Sequence, residues 1–292
     1  AEKGVRDLLI EASEKEIVEE ALSTAAKGGG AAFRWCAQST LSKDTVRRRL
    51  DGEEDIGAGE FERICTNRSY RLEPLAEKDW KSRCGVALQG LVTGAIGGAR
   101  GLLLNLALST ALFLRATQRV ALHFGYDAVG RDHEQIIASE ITLEALQPGG
   151  SAASGSTGGI LGKMMNAAEV SGLKKGLQHR TYQEMAKQGG SQLLYTKLRA
   201  TANKAAEKAL DKAGKEGFET ALVQRLLRDL GERMSKQAGQ RAVPLIGGLF
   251  AGSIDTFQMQ QVIRGAVLHY HKRFIAEKEE RVRQLRSQLS HR

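Results

Sequence analysis

The chain has 292 residues, 41% hydrophobic and 26% charged. That is enough to bury a core without disulfides or metals, and it excludes disorder of the whole chain. A net charge of +9 points to an acidic partner (nucleic acid, an anionic membrane face or an acidic protein) or simply to a basic solvated surface. With 3 Pro, 8 Phe, 5 Tyr and 2 Trp among abundant Ala, Leu, Glu, Lys and Arg, long helices are favoured over a sheet.

In chain order, Leu8, Leu9, Ala12, Ile17, Ala21 and Leu22 recur at helical spacing and predict a first helix over 5–26, ended by three glycines. A short apolar helix follows over 31–37. Ser42-Lys43-Asp44 opens a basic helical turn that runs through Arg47-Arg48-Arg49. The acidic, turn-prone stretch 51–55 breaks it, and 61–65 predicts one more short helix. Residues 71–83 read as a polar helix with Pro74 in its first turn. Residues 85–124 are the most apolar in the chain, with Gly90, Gly94, Gly97, Gly98 and Gly101 among Leu, Val, Ile and Ala. A second block, 242–263, repeats that style with Gly247, Gly248 and Gly252. Small residues permit close backbone approach, so the two blocks are expected to pack as neighbouring core helices. Between them lie a flexible loop by composition, 149–159, and an amphipathic run over 202–234 interrupted at Gly214 and Gly217. The end, 271–292, predicts a basic terminal helix, with Phe274, Ile275, Val282, Leu285 and Leu289 as a thin apolar face.

A membrane span needs about 20 apolar residues. The runs 86–99 and 101–114 offer 14 each, parted by Arg100, and the second block carries Asp255, so a buried core is expected rather than a span. The opening Ala1-Glu2-Lys3 shows no apolar signal segment. Cys36, Cys65 and Cys84 are odd in number and widely spaced, which fits reduced thiols.

Two segments carry a resemblance. GLVTGAIGGARGLLLNLALSTALFLRATQRVALHFGYD (90–127) resembles the central segment of the EcsC family: a Gly-rich stretch, a D-[IL]-P segment, a Leu-rich helix ending in Arg, then Y-G-[FY]-D. AVPLIGGLFAGSIDTFQMQQVIRGAVLHYHKRF (242–274) resembles that family's VP-[VIL]-[IL]-G-A-x-x-G-A-x-x-N segment and its trailing helix, and 39–57 resembles its N-terminal region. The likeness covers roughly 20–274. Asn105 stands where the family has Asp, Ala107-Leu108 where it has its Pro region, and Asp255 near its Asn. The family takes its name from a bacterial operon that also encodes an ABC transporter's ATPase and membrane subunit, and its biochemical activity is undefined. The resemblance implies a bacterial, helical protein with some association with transport or the membrane.

Asn105 and Arg115 are ten residues apart, within roughly 80° of each other on one helix. A buried Arg115 requires a carboxylate, and Asp127 or Asp255 can supply it. Asn105, Arg115, Asp127 and Asp255 are therefore the candidate polar centre, as a ligand pocket or, more simply, as an ion pair that locks helix packing. Lys272, Arg273, Arg281, Arg283 and Arg286 are the candidate membrane or partner surface. Metal binding is not expected: no H-E-x-x-H occurs, and His269 and His271, two apart, point to different helix faces. Tyr270 and Phe274 are expected to pack. No G-x-S-x-G or phosphate-loop motif occurs, and no cofactor is implied. The tail alternates charge signs without a zinc finger or aromatic platform, which disfavours nucleic acid.

The expectation is one all-α, multi-helix domain over 1–292 with the two Gly-rich elements at its core. It would be a cytoplasmic, non-enzymatic binding or accessory module, peripheral to the inner membrane, that meets an anionic membrane surface or a membrane or transport protein. A hydrolase acting on a lipid or peptide, or a carrier of an apolar ligand between the Gly-rich helices, are the alternatives. A pocket lined by Asn105, Arg115 and Asp255 would favour either of those.

Overall fold

The computed structural model describes residues 42–53, 60–77, 98–146, 195–212, 214, 215, 217, 218, 222, 225, 226 and 247–290, with side chains from 109 and from 257 onward in the two longest helices. The expected helices over 5–26 and 31–37 and the loop over 149–159 lie outside the described residues.

Helix α1 (Lys43–Asp51) begins where Ser42 caps it: the Ser42 hydroxyl oxygen accepts from the Thr45 N–H at 3.1 Å. Asp44 lies in the first turn and Arg48 and Arg49 in the last, each favourable to the helix dipole. Val46 and Leu50, four apart, form its buried face. A 3-10 turn (Phe61–Thr66) buries Phe61, Ile64 and Cys65. Helix α2 (Ser69–Glu77) starts two residues before the expected position. Pro74 therefore falls inside the helix rather than in its first turn, at the cost of one backbone hydrogen bond. Leu72, Leu75 and Ala76 on the same helix are buried.

Helix α3 (Gly98–His123) and helix α4 (Asp132–Ala145) are joined by a tight linker. Gly125 has φ +74°, its N–H donates to the Leu122 carbonyl at 2.9 Å, and the Tyr126 N–H donates to the Ala121 carbonyl at 2.9 Å. This paired closure requires a left-handed residue, which glycine supplies. Gln118 Nε2 donates to the Ala128 carbonyl at 2.9 Å and Gln135 Nε2 to the Val129 carbonyl at 2.8 Å, so both helices hold the linker. Helix α5 covers 195–212. Gly214, with φ +65°, lies just beyond it, close to the interruption the sequence predicts.

Helix α6 (Gly247–Ser290) is 44 residues long, about 66 Å at 1.5 Å per residue. From Gly247 to Ser290, the second apolar block and the basic terminus, expected as separate elements, are one continuous helix. Helices α3, α4 and α6 pack on one another; α2 packs on α6 and α3, and α1 on α3. The helices that carry the ends of the two Gly-rich blocks are thus neighbours. Gly90, Gly94 and Gly97 lie outside the described residues, as do the surroundings of Gly248 and Gly252.

Helix α4 is enclosed on every side, with all ten residues from Glu134 to Leu143 buried. The hydroxyls of Thr142 on α4 and Thr117 on α3 meet at 2.9 Å, which pairs two polar groups inside the core. Where α4 ends, a Cβ built on Gly265 of α6 would lie 3.0 Å from the Ala145 Cβ, so the two backbones come close there. No strand occurs among the described residues, and the buried apolar side chains of these helices form one core. Among the described residues, no helix is long and apolar enough to cross a membrane.

Candidate functional site

Helix α6 buries a stripe at three- and four-residue spacing: Met259, Val262, Ala266, then His269, Arg273 and Glu277. Of its polar members, Arg273 meets α4. Arg273, fully buried, donates from both terminal nitrogens to the two carboxylate oxygens of Glu134, each at 2.7 Å. Arg273 Nε also lies 3.3 Å from Glu277 Oε1, and the Arg199 guanidinium approaches Glu277 Oε2 at 2.9 Å. His133 Nε2 lies 3.5 Å from Glu134. Burial opposes ionisation of Glu134, but the charge and hydrogen bonds of Arg273, with help from His133, outweigh it and hold the carboxyl well below the usual range. Burial likewise disfavours the Arg273 cation, and Glu134 and Glu277 hold it charged. Both alignments are those of a paired buried fork.

Tyr126 joins this buried clamp to the surface. Its ring centroid is 4.1 Å from the Arg273 guanidinium carbon and 4.4 Å from that of Arg281. Arg281 donates to the carbonyls of Phe124 at 3.1 Å and Gly125 at 2.7 Å, and its guanidinium also lies 5.8 Å from the Phe274 ring centroid. These acceptors are the carbonyls that the α3–α4 linker presents at the left-handed glycine. Tyr126 and Arg281 also line a cleft of about 140 Å³, together with Lys43, Arg131, Arg199 and Glu134. Cys65 lines the cleft too; burial pushes its thiol up and the Arg281 charge opposes that.

A Cβ on Gly125 would lie 2.7 Å from Arg281 Nη2 and 3.1 Å from Ile64 Cβ. Gly125→Ala is therefore expected to destabilise the fold by about 2 kcal/mol, from left-handed strain plus displacement of Arg281. A thermal melt should show a midpoint a few degrees lower; an unchanged midpoint would mean that the linker relaxes freely.

Several sequence expectations are corrected. Arg273 and Arg281 are not surface cations: Arg273 is enclosed with Glu134, and Arg281 is half-buried on the linker carbonyls. Of the five expected surface residues, Lys272, Arg283 and Arg286 are exposed. The exposed face also includes Ile275, at 61%, which the sequence assigned to the apolar stripe. Arg115 is half-buried rather than enclosed. Asp127, expected as its partner, instead accepts from the Gly130 N–H at 2.8 Å and pairs with Lys43 at 2.6 Å, so it anchors a turn. The side chains of Asn105 on α3 and Asp255 on α6 lie outside the described set. Tyr270 and Phe274 pack in the core, and His269 and His271 do face differently: His269 is buried, while His271 Nδ1 meets Glu73 at the surface at 3.1 Å. The sequence reading missed Glu134 and Glu277. Their signal was positional, since each continues an apolar helical stripe through a charged residue. Comparison with protein-family models, with curated proteins and with solved structures finds no match for this chain, so the resemblance to the EcsC family rests on the quoted segments alone.

Proposed function

We propose that the protein is a binding or accessory module for an anionic surface, the cytoplasmic face of a membrane or a membrane protein, rather than a catalyst. The supporting observation is where the cations stand. Lys272, Arg283 and Arg286 of α6 and Arg48 and Arg49 of α1 remain exposed, and α1 and the end of α6 border the same cleft through Lys43 and Arg281. Each Lys or Arg held near anionic lipid contributes roughly 1 kcal/mol. In the described core, Arg273 is held by Glu134 and Glu277, so its charge is spent on packing and not on the exposed face. A place beside the EcsC family, with its transporter operon, fits this reading and remains part of the proposal.

The test is co-sedimentation with vesicles. The protein should bind phosphatidylglycerol-containing vesicles at 0.1 M salt and release them towards 1 M, as the Debye length falls from ~10 Å to ~3 Å. Arg283→Gln combined with Arg286→Gln should weaken binding without lowering the melting midpoint. Equal binding to neutral and anionic vesicles would overturn the reading.

A further inference from the structure

Arg281 is a half-buried guanidinium whose partners are all neutral. Two backbone carbonyls and two aromatic rings hold it, and no carboxylate lies within ion-pair distance among the described residues. A cation desolvated in this way is costly unless an anion completes its shell. It also has donors to spare, since the two carbonyls engage only two of the five N–H groups of a guanidinium. It lines the 140 Å³ cleft beside Lys43, Arg131 and Arg199.

The acids around the cleft are already answered. Asp127 is paired with Lys43 at 2.6 Å, Glu134, itself part of the lining, with the enclosed Arg273, and Glu277 is shared by Arg273 and Arg199. Glu62 is the remaining acid of the lining and is exposed, while Arg131 is exposed and has no carboxylate partner among the described residues. Arg131 and Arg281 thus face one small space with only Glu62 to balance them, which leaves a local excess of positive charge.

We infer that this cleft is a binding site for a phosphoryl group, with Arg281 as its half-buried fork and Arg131 as its exposed one. The cleft is well below the 300–1,000 Å³ typical of a drug-sized ligand, so it takes a headgroup-sized anion and not a nucleotide or an acyl chain. A phosphomonoester carries −1.5 to −2 charges and three acceptor oxygens, which matches two guanidinium groups better than a single carboxylate does. The Arg281 geometry is preorganised, because the linker carbonyls and the Tyr126 ring hold the fork before any ligand arrives. The phosphoryl group belongs either to a small soluble phosphate ester or to a lipid headgroup, and the test separates these. The site does not depend on the exposed cations that carry the proposed membrane contact.

Inorganic phosphate is the probe, titrated calorimetrically at constant ionic strength with acetate as control. Saturable binding of phosphate over acetate is expected. Arg131→Gln, an exposed change that spares the fold, should weaken it about tenfold, as loss of a charged hydrogen-bond donor does. Arg281→Lys keeps the charge but loses the fork, and should weaken phosphate by a similar factor with the far-ultraviolet spectrum unchanged. In parallel, vesicles containing phosphatidic acid are compared with vesicles of equal charge containing phosphatidylserine. A preference for phosphatidic acid that Arg131→Gln abolishes assigns the site to a lipid headgroup. Phosphate binding without that preference assigns it to a soluble ester. No saturable phosphate binding, or binding equal in wild type and Arg131→Gln, overturns the site. Salt-sensitive vesicle binding would survive that failure, so the two proposals fail separately.

Discussion

Arg273→Met should lower stability by ~3–5 kcal/mol at pH 7, because it leaves the Glu134 carboxylate buried without its counter-charge. Glu134 receives both terminal nitrogens of Arg273 at 2.7 Å and has little else to compensate it apart from His133 at 3.5 Å. The double variant Arg273→Met with Glu134→Leu should recover much of the loss, since well-packed apolar groups often replace a buried ion pair at little cost. Glu277 keeps Arg199 in that background. Arg273→Lys should fall in between, because an ammonium cannot make two parallel hydrogen bonds. Denaturant melts of wild type, Arg273→Met, Glu134→Leu and the double variant close a double-mutant cycle. A single Arg273→Met variant within ~1 kcal/mol of wild type would show that water reaches Glu134 and that the clamp is not enclosed.

Acidification should lower stability in two steps, and His269 drives the first. His269 is buried against Tyr195 and Tyr270, ring centroids 5.9 Å and 5.7 Å away, and neither ring nitrogen has a hydrogen-bond partner among the described residues. Burial, then the charge of Arg273, depresses its pKa from 6.5 to about 3, with Glu134 opposing. Between those values the unfolded chain takes up a proton that the folded one refuses. Stability from this group is therefore complete above pH 6.5 and falls as pH drops towards 3. By pH 4.5 the loss should reach ~2–3 kcal/mol, at 1.36 kcal/mol per pH unit. Glu134, ordinarily at 4.5 and held well below it, adds a second loss of the same sign once pH falls under 4.5. His269→Leu should flatten the profile above pH 4.5 and leave the lower stage in place. Parallel pH profiles for wild type and His269→Leu would refute the assignment.

Helix class and much of the local punctuation were legible in the residues, because the signals are local. Ser42 before a basic run is a cap, and Gly214 interrupts an amphipathic stretch; each operates within one turn of the chain. The polar centre was not legible for the opposite reason. The eye takes Arg273 and Glu277 as members of a basic, solvated tail, because the charges around them are numerous and close in sequence. Only the spacing from Val262 through Ala266 and Tyr270 places them inward, and only the partner on α4 makes that burial tolerable. Arg115 misled for a related reason: apolar neighbours on both sides suggest enclosure, yet its helix direction leaves it half-buried. Arg281 was read as a surface charge because nothing in sequence announces that two backbone carbonyls will turn to meet it.

The clamp also sets an order of events as the chain is made. Arg273 follows Glu134 by 139 residues, and at a synthesis rate of ~5–20 residues per second that is roughly 7–28 s of translation. For that interval α4, which the finished core buries on all sides, lacks its central partner, and Glu134 lacks its counter-charge. The helices made first cannot complete the core among themselves; α6 brings its partner groups across 139 residues of sequence, a separation whose entropy must be overcome before the contact compensates. Completion of this core therefore waits for α6, and a nascent chain halted before α6 should be held by chaperones rather than released as a stable intermediate.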